Sequence, residues 1–304
     1  MPVLRVNSAG GELQLHRSDT PALAALCEAA RAGAGPAIVM LHGYSFRPGK
    51  GRDCPHEHIF ALENGPCRKA RSWPRALGIG DGSPEEGLAL AFGWNASGKL
   101  WDAYGRAAEA GRTLARAVAA IRAAAPGRAV HVIAHSLGAR VAFQALSHLE
   151  PGDIGRVITL NAAEYAGAAQ AALARGAGPR AEVFAVSGGE NRAYDFLFER
   201  LVAPGLGGDR ALGRAPLEGP GRIALRLDRA DVAERLAALG FPLAARRRRI
   251  CHWSPYLRGG TMTLYSALMR QAGALPAELF RMPAAEKPAR APALPLPMGR
   301  KAPS

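Results

Sequence analysis

Short apolar runs alternating with helical stretches constrain this chain more than any other feature. Ala37-Ile38-Val39-Met40-Leu41, Leu88 to Phe92, Ala129 to Ala134, Arg156 to Leu160 and Ala181 to Val186 are nearly continuous in apolar residues. Such runs suit strands covered on both faces. Lys99 to Ala125, Leu137 to Leu149 and Ala163 to Arg175 carry helical patterning between them. Strands that alternate with helices need crossovers, and right-handed crossovers build a mostly parallel sheet. The expected fold class is α/β, a mostly parallel central sheet with helices on both faces.

The flanks add detail. Val3 to Val6 and Glu12 to His16 alternate as strands around the Gly10-Gly11 turn. Thr20-Pro21 then introduces a helix through Arg31, with Thr20 as N-cap. From Leu201 to Ala245 the pattern loosens into a glycine-rich insertion with a short helix near Asp231 to Leu239. Ile250-Cys251-His252-Trp253 reads as a further strand end, and Gly260 to Gln271 as a last helix. One domain is expected over 1–282, followed by a Pro/Ala/Arg-rich tail, 283–304, with little to bury and hence disordered.

A chain of 304 residues can bury a large core without disulfides or metals. Its four cysteines, Cys27, Cys54, Cys67 and Cys251, are too scattered to form a disulfide framework. No run approaches the roughly 20 apolar residues of a membrane span, and the amino terminus lacks a secretory pattern. A cytoplasmic protein with no membrane span is expected. The net charge of +14 is carried largely by arginine, in a chain also rich in alanine, glycine and proline. These residue types share GC-rich codons, and no nucleic-acid motif accompanies them. No specific nucleic-acid partner is expected, and Arg246 to Arg249 reads as a solvated edge.

The most informative local segment is Ala134-His135-Ser136-Leu137-Gly138. A strand-like run, Val130 to Ala134, precedes it, and Leu137 to Ala142 starts a helix. A serine at such a joint sits on a sharp turn and needs small residues two positions to either side. A serine capping an ordinary helix is the plain alternative; the strand before and the helix after favour the turn. Upstream, Leu41-His42-Gly43-Tyr44 ends another apolar run. Together these segments resemble the nucleophile elbow and the H-G motif of α/β-hydrolases such as lipases and esterases. The match covers roughly residues 35–275, with alanine where the elbow usually begins with glycine.

That resemblance implies an α/β-hydrolase domain with Ser136 as nucleophile and the backbone N–H groups of Tyr44 and Leu137 as oxyanion donors. His42 would shape its loop. The family's order of nucleophile, acid and histidine leaves His148 and His252 as candidate bases; His148 lies about three turns along the next helix, so His252 is favoured. Asp195, on the loop past the Ala181 to Val186 run, is the leading acid, and Glu190 on the same loop is its alternative. Glu164 and Asp228 are more distant candidates, and capping of a helix over Phe196 to Val202 is the competing role for Asp195.

Cys54-Pro55-His56-Glu57-His58, with Cys67 beyond, matches no strong zinc spacing, and no metal or other cofactor is expected. Alternate spacing in an extended segment would put His56 and His58 on one side. The loop 44–70, with His42, His56 and His58, is expected over the mouth of the site, where it would select substrate. The reading reached is a serine hydrolase of a small-molecule acyl ester acting through an acyl-enzyme. An acyltransferase using the same residues, and a non-catalytic ligand-binding protein of this fold, are the alternatives.

Overall fold

The computed structural model describes residues 3–83, 85–205 and 207–282. Its strands are β1 (Val3–Ala9), β2 (Glu12–Leu15), β3 (Ala37–Leu41), β4 (Leu88–Trp94), β5 (Val130–His135), β6 (Arg156–Leu160), β7 (Glu182–Ser187) and β8 (Arg222–Arg226). Its helices are α1 (Ala22–Arg31), α2 (Trp73–Ala76), α3 (Leu100–Ala124), α4 (Gly138–Leu146), α5 (Ala166–Leu173), α6 (Arg192–Leu201), α7 (Ala230–Ala238), α8 (Ser254–Leu257) and α9 (Thr261–Arg270). The strands form one sheet in the order β2-β1-β4-β3-β5-β6-β7-β8. The β1–β2 pair is antiparallel, and the other pairs are parallel.

The period-two alternation of the central strands divides the core into two layers. Val39 and Leu41 of β3 join Val132 of β5 in a cluster with Leu26, Leu114 and Phe143 from α1, α3 and α4. Ile38, Met40 and Ile133 face the other way, toward Trp73, Tyr256 and Leu264 from α2, α8 and α9. All five residues of β3 are buried, as a strand covered on both faces requires. α3 buries Ala103, Ala107, Ala110, Leu114, Ala117 and Ile121 along one stripe. Gly111 lets α4 approach: a Cβ there would lie 2.5 Å from Cβ of Gln144.

Four expectations are corrected. The loosened region contains a strand, β8, whose partner is β7. It is five residues long, ends in arginine on both sides and lies at the sheet edge, so its apolar signal is weak. Ile250 to Trp253 is a turn leading into α8, because its carbonyl and amide groups are taken up by loop residues instead of a neighbouring strand. α6 begins at Arg192, which puts Asp195 in its first turn and removes the capping role. At the other end, α1 starts just past Pro21 with no side-chain cap, so Thr20 does not serve as one. The tail expected over 283–304 lies outside the described residues.

From β3 the chain passes to β4 on one side and then, through α3, to β5 on the other. Loops at the carboxyl ends of strands diverge at such a switch point and leave a crevice between them. The loops after β3, β5, β6 and β7 carry the residues described next.

Candidate active site

Ser136 occupies the reversal between β5 and α4, with φ at 55°. A left-handed conformation costs a residue with a side chain about 1–3 kcal/mol, so the surroundings must hold it there. Its N–H donates to Leu160 O at 3.0 Å, and its carbonyl accepts from Ala163 N at 3.0 Å and Ala139 N at 3.1 Å. Gly138 is required by contact: a Cβ there would lie 2.7 Å from His42 O and 2.8 Å from Leu41 O. Ala134 makes no such demand. It is an in-register sheet residue paired with Leu41 and Thr159, and its methyl is simply part of the core.

The β3 loop packs directly on this turn. A Cβ on Gly43 would fall 2.6 Å from Cβ of Ser136, so only glycine lets the two backbones meet. Among the described residues, the N–H groups of Tyr44 and Leu137 have no hydrogen-bond partner. Tyr44 is exposed, and its hydroxyl donates to Gly98 O. His42 is wholly buried, stacked on Trp94 at 5.4 Å, and its Nε2 accepts the Trp94 N–H at 3.0 Å. Its Nδ1–H therefore donates to Gly43 O at 2.9 Å, and burial pushes its pKa down to about 4. His42 thus braces the β3 and β4 ends as a neutral ring.

His252 is held by groups the sequence did not single out. Its carbonyl accepts from Asn161 Nδ2 at 2.8 Å and from His135 Nε2 at 3.1 Å. Its ring packs 4.6 Å from that of His135 and stacks on Tyr194 at 4.7 Å. Burial, with His135 and Lys69 nearby, holds its pKa well below 6.5, so it rests as a neutral imidazole. His135 adjoins Ser136 in the chain, so the base candidate is anchored on the elbow strand itself.

The group facing the His252 ring is an amide. His252 Nδ1 donates to Asn191 Oδ1 at 2.7 Å, and Asn191 Nδ2 donates to Asp195 Oδ1 at 2.8 Å. The carboxylate expected on the histidine is therefore one residue removed. The cause is the early start of α6, which carries Asp195 one turn beyond Asn191 on the same helix side. Burial raises the Asp195 pKa from 3.8 to about 6, with Asn191, Arg214 and Arg226 opposing and Glu199 reinforcing.

None of the other candidate acids is hydrogen-bonded to the His252 ring among the described residues. Glu164 accepts from Tyr104 Oη at 2.5 Å, Arg140 Nη1 at 2.8 Å and Tyr165 N at 2.8 Å, and burial raises its pKa. Glu190 is buried, with Oε2 3.9 Å from Arg246 Nη1. Asp228 pairs with Arg226 at 3.2 Å. His148 is exposed beyond the end of α4.

The 44–70 loop departs from expectation. Pro55–Glu57 is a 3-10 turn, so His56 and His58 do not share a side. His56 turns inward, its Nε2 2.7 Å from Asn7 Oδ1, and burial lowers its pKa to about 2. His42 and His56 therefore offer no surface to a substrate. His58 stands beside the exposed Cys67, Nε2 to Sγ 3.4 Å. Ligand atoms of His16, Cys54 and Glu57 lie within 4.8 Å of one another, but Arg17 already pairs with Glu57.

The sheet order, the elbow at the end of β5 and the loops gathered at the switch point define an α/β-hydrolase fold. Residues 75–162 match the model of a family described as alpha/beta hydrolase of unknown function (DUF900). The matched stretch runs from α2 through β6 and includes Ser136 and Asn161, while Asn191, Asp195 and His252 lie outside it. No curated protein matches the chain. No helix among the described residues is long and apolar enough to cross a membrane.

Proposed function

We propose that this α/β-hydrolase is a serine hydrolase of carboxylic esters, with Ser136 as nucleophile and His252 as base. The observation that carries the reading is Ser136 at φ 55° with the Gly43 backbone packed against it. A strained serine, closely faced by a loop with a free N–H, is the arrangement acyl transfer needs. Ser136 Oγ attacks the acyl carbon as His252 Nε2 takes its proton. The N–H groups of Tyr44 and Leu137 hold the oxyanion. Collapse expels the alcohol, which receives the proton from His252. Water, deprotonated by the same base, then attacks the acyl-enzyme and releases the acid.

Asn191 and Asp195 act as a relay of orientation. An ionised Asp195 can only accept, so it draws the Asn191 NH₂ toward itself and leaves Oδ1 facing the imidazole. That fixes the proton on Nδ1 of His252 and leaves Nε2 as the basic atom. The Tyr194 ring face supplies partial stabilisation to the imidazolium that forms.

Ser136→Ala should lower kcat for a short p-nitrophenyl ester about 10⁴-fold with the fold intact by circular dichroism. A fluorophosphonate probe should label the native protein and not this variant. Turnover near the native level in the folded variant would remove the proposal.

A further inference from the structure

Several buried and half-buried arginines are tied to backbone carbonyls. Arg128 donates to Ala29, Ala30, Ala32 and Gly33, and Arg156 and Arg270 are similarly engaged. The run before His252 behaves differently. Arg246, Arg247 and Arg248 line a small cleft of about 40 Å³ with Arg68 and Arg258, and its wall includes Cys251 and Ser254 on either side of His252. Arg258 is spent on Ala244 O and Leu227 O. Arg246 lies 3.9 Å from the buried Glu190 without a hydrogen bond between them. Among the described residues, Arg68, Arg247 and Arg248 have neither a carboxylate nor a carbonyl partner. A second cleft, of about 460 Å³, adjoins the first through Arg68, Arg247 and Leu257, and adds Arg71.

Guanidinium groups concentrated around a concave surface with one carboxylate among them raise the local positive potential and attract an anion. The adjoining cleft supplies the room for a small ligand group, and free planar forks suit a carboxylate or phosphate. We infer that this cleft binds an oxyanion carried by the substrate, so that the preferred esters bear a carboxylate or phosphate away from the scissile bond. This assignment rests on the ester-hydrolase reading and names the substrate class of that site.

Two substrate series test it. Monomethyl esters of dicarboxylic acids, from succinate to sebacate, are compared with their dimethyl counterparts by methanol release. The O-butyryl ester of glycerol 3-phosphate is compared with monobutyrylglycerol to separate phosphate from carboxylate. At low salt, at least one anionic ester should exceed its neutral partner in kcat/KM by about tenfold, the preference shrinking as salt is added. Arg247→Gln with Arg248→Gln should reduce that ratio at least about fivefold, chiefly through KM. Calorimetric titration with glutarate and with glycerol 3-phosphate measures the cleft without turnover, and the double variant should bind the favoured anion at least about fivefold more weakly. Neutral esters preferred throughout both series, or anion binding unchanged in the double variant, would overturn the inference. If no ester is turned over and Ser136 is unlabelled while the anion still binds through these arginines, the hydrolase reading fails and the anion site stands.

Discussion

At Asn191 a neutral side chain stands where a charged one was expected, and its orientation depends on the protonation of its neighbour. Below pH 6 Asp195 gains a proton, can donate to the amide, and no longer dictates which end faces His252. A turned amide would place its NH₂ on Nδ1, shift the ring proton to Nε2 and remove the proposed base. Activity should therefore rise with pH through a limb near 6, although His252 itself stays neutral there. Stability should run the other way. Asp195 holds its proton more tightly folded than unfolded, so it lowers stability as pH climbs from 3.8 to about 6. A pH–kcat profile beside denaturant midpoints at the same pH values reads both signs. Asp195→Asn should abolish the limb; a limb left in place would belong to His252. Combining Asn191→Asp with Asp195→Asn puts a carboxylate on the imidazole and should keep kcat within about tenfold of native, whereas Asn191→Ala should lose about a hundredfold or more.

Two elements meet at Ser136, and glycine decides how closely. Gly43→Ala drives a methyl into Ser136 Cβ, so the β3 loop or the elbow must move. Overpacking of this kind costs about 1–3 kcal/mol, and displacing an oxyanion donor should cut kcat about a hundredfold. Gly105 in α3 is the control. A Cβ there meets nothing within 4 Å, and Gly105→Ala should stabilise the helix by about 0.5–1 kcal/mol without loss of activity. Equal effects of the two substitutions on kcat would mean that the close approach at Gly43 has no catalytic consequence.

Across the whole molecule, buried arginines fasten distant pieces of chain. Arg156 on β6 reaches Glu182 on β7 at 2.5 Å and the carbonyls of Leu268, near the end of α9, and of Ala272 and Leu275 just past it. A cation at a helix carboxyl terminus also complements its dipole. Arg156→Met should cost about 3 kcal/mol, because it leaves buried carbonyls unpaired and a carboxylate without its counter-charge. The denaturant midpoint checks this; a loss below about 1 kcal/mol would mean water replaces the guanidinium at little cost. The arginine excess that codon usage explains in composition is thus put to separate uses, with some residues serving as internal clamps and the 246–248 run left facing a cleft.

Local periodicity was enough to read the strands of the parallel sheet, the long helices and the turn at Ser136. Burial on one or both faces is written into neighbouring residues. Gly138 was legible for the same reason, since a turn in tight quarters excludes a side chain, whereas the close approach at Gly43 is seen only in the fold. β8 was not, because a short edge strand buries only alternate residues and its arginines mask the pattern. Nor could spacing assign the residue on His252. Asn191 and Asp195 differ by one helical turn, and which of them meets the imidazole depends on where α6 begins and how the β7 loop lies against the turn at 251–253. Asn161 and His135 had no signal at all, since what they bind is the carbonyl of a residue far along the chain. A periodic pattern records what each segment does with its apolar faces; the pairing of individual polar atoms exists only once the loops at the switch point have come together.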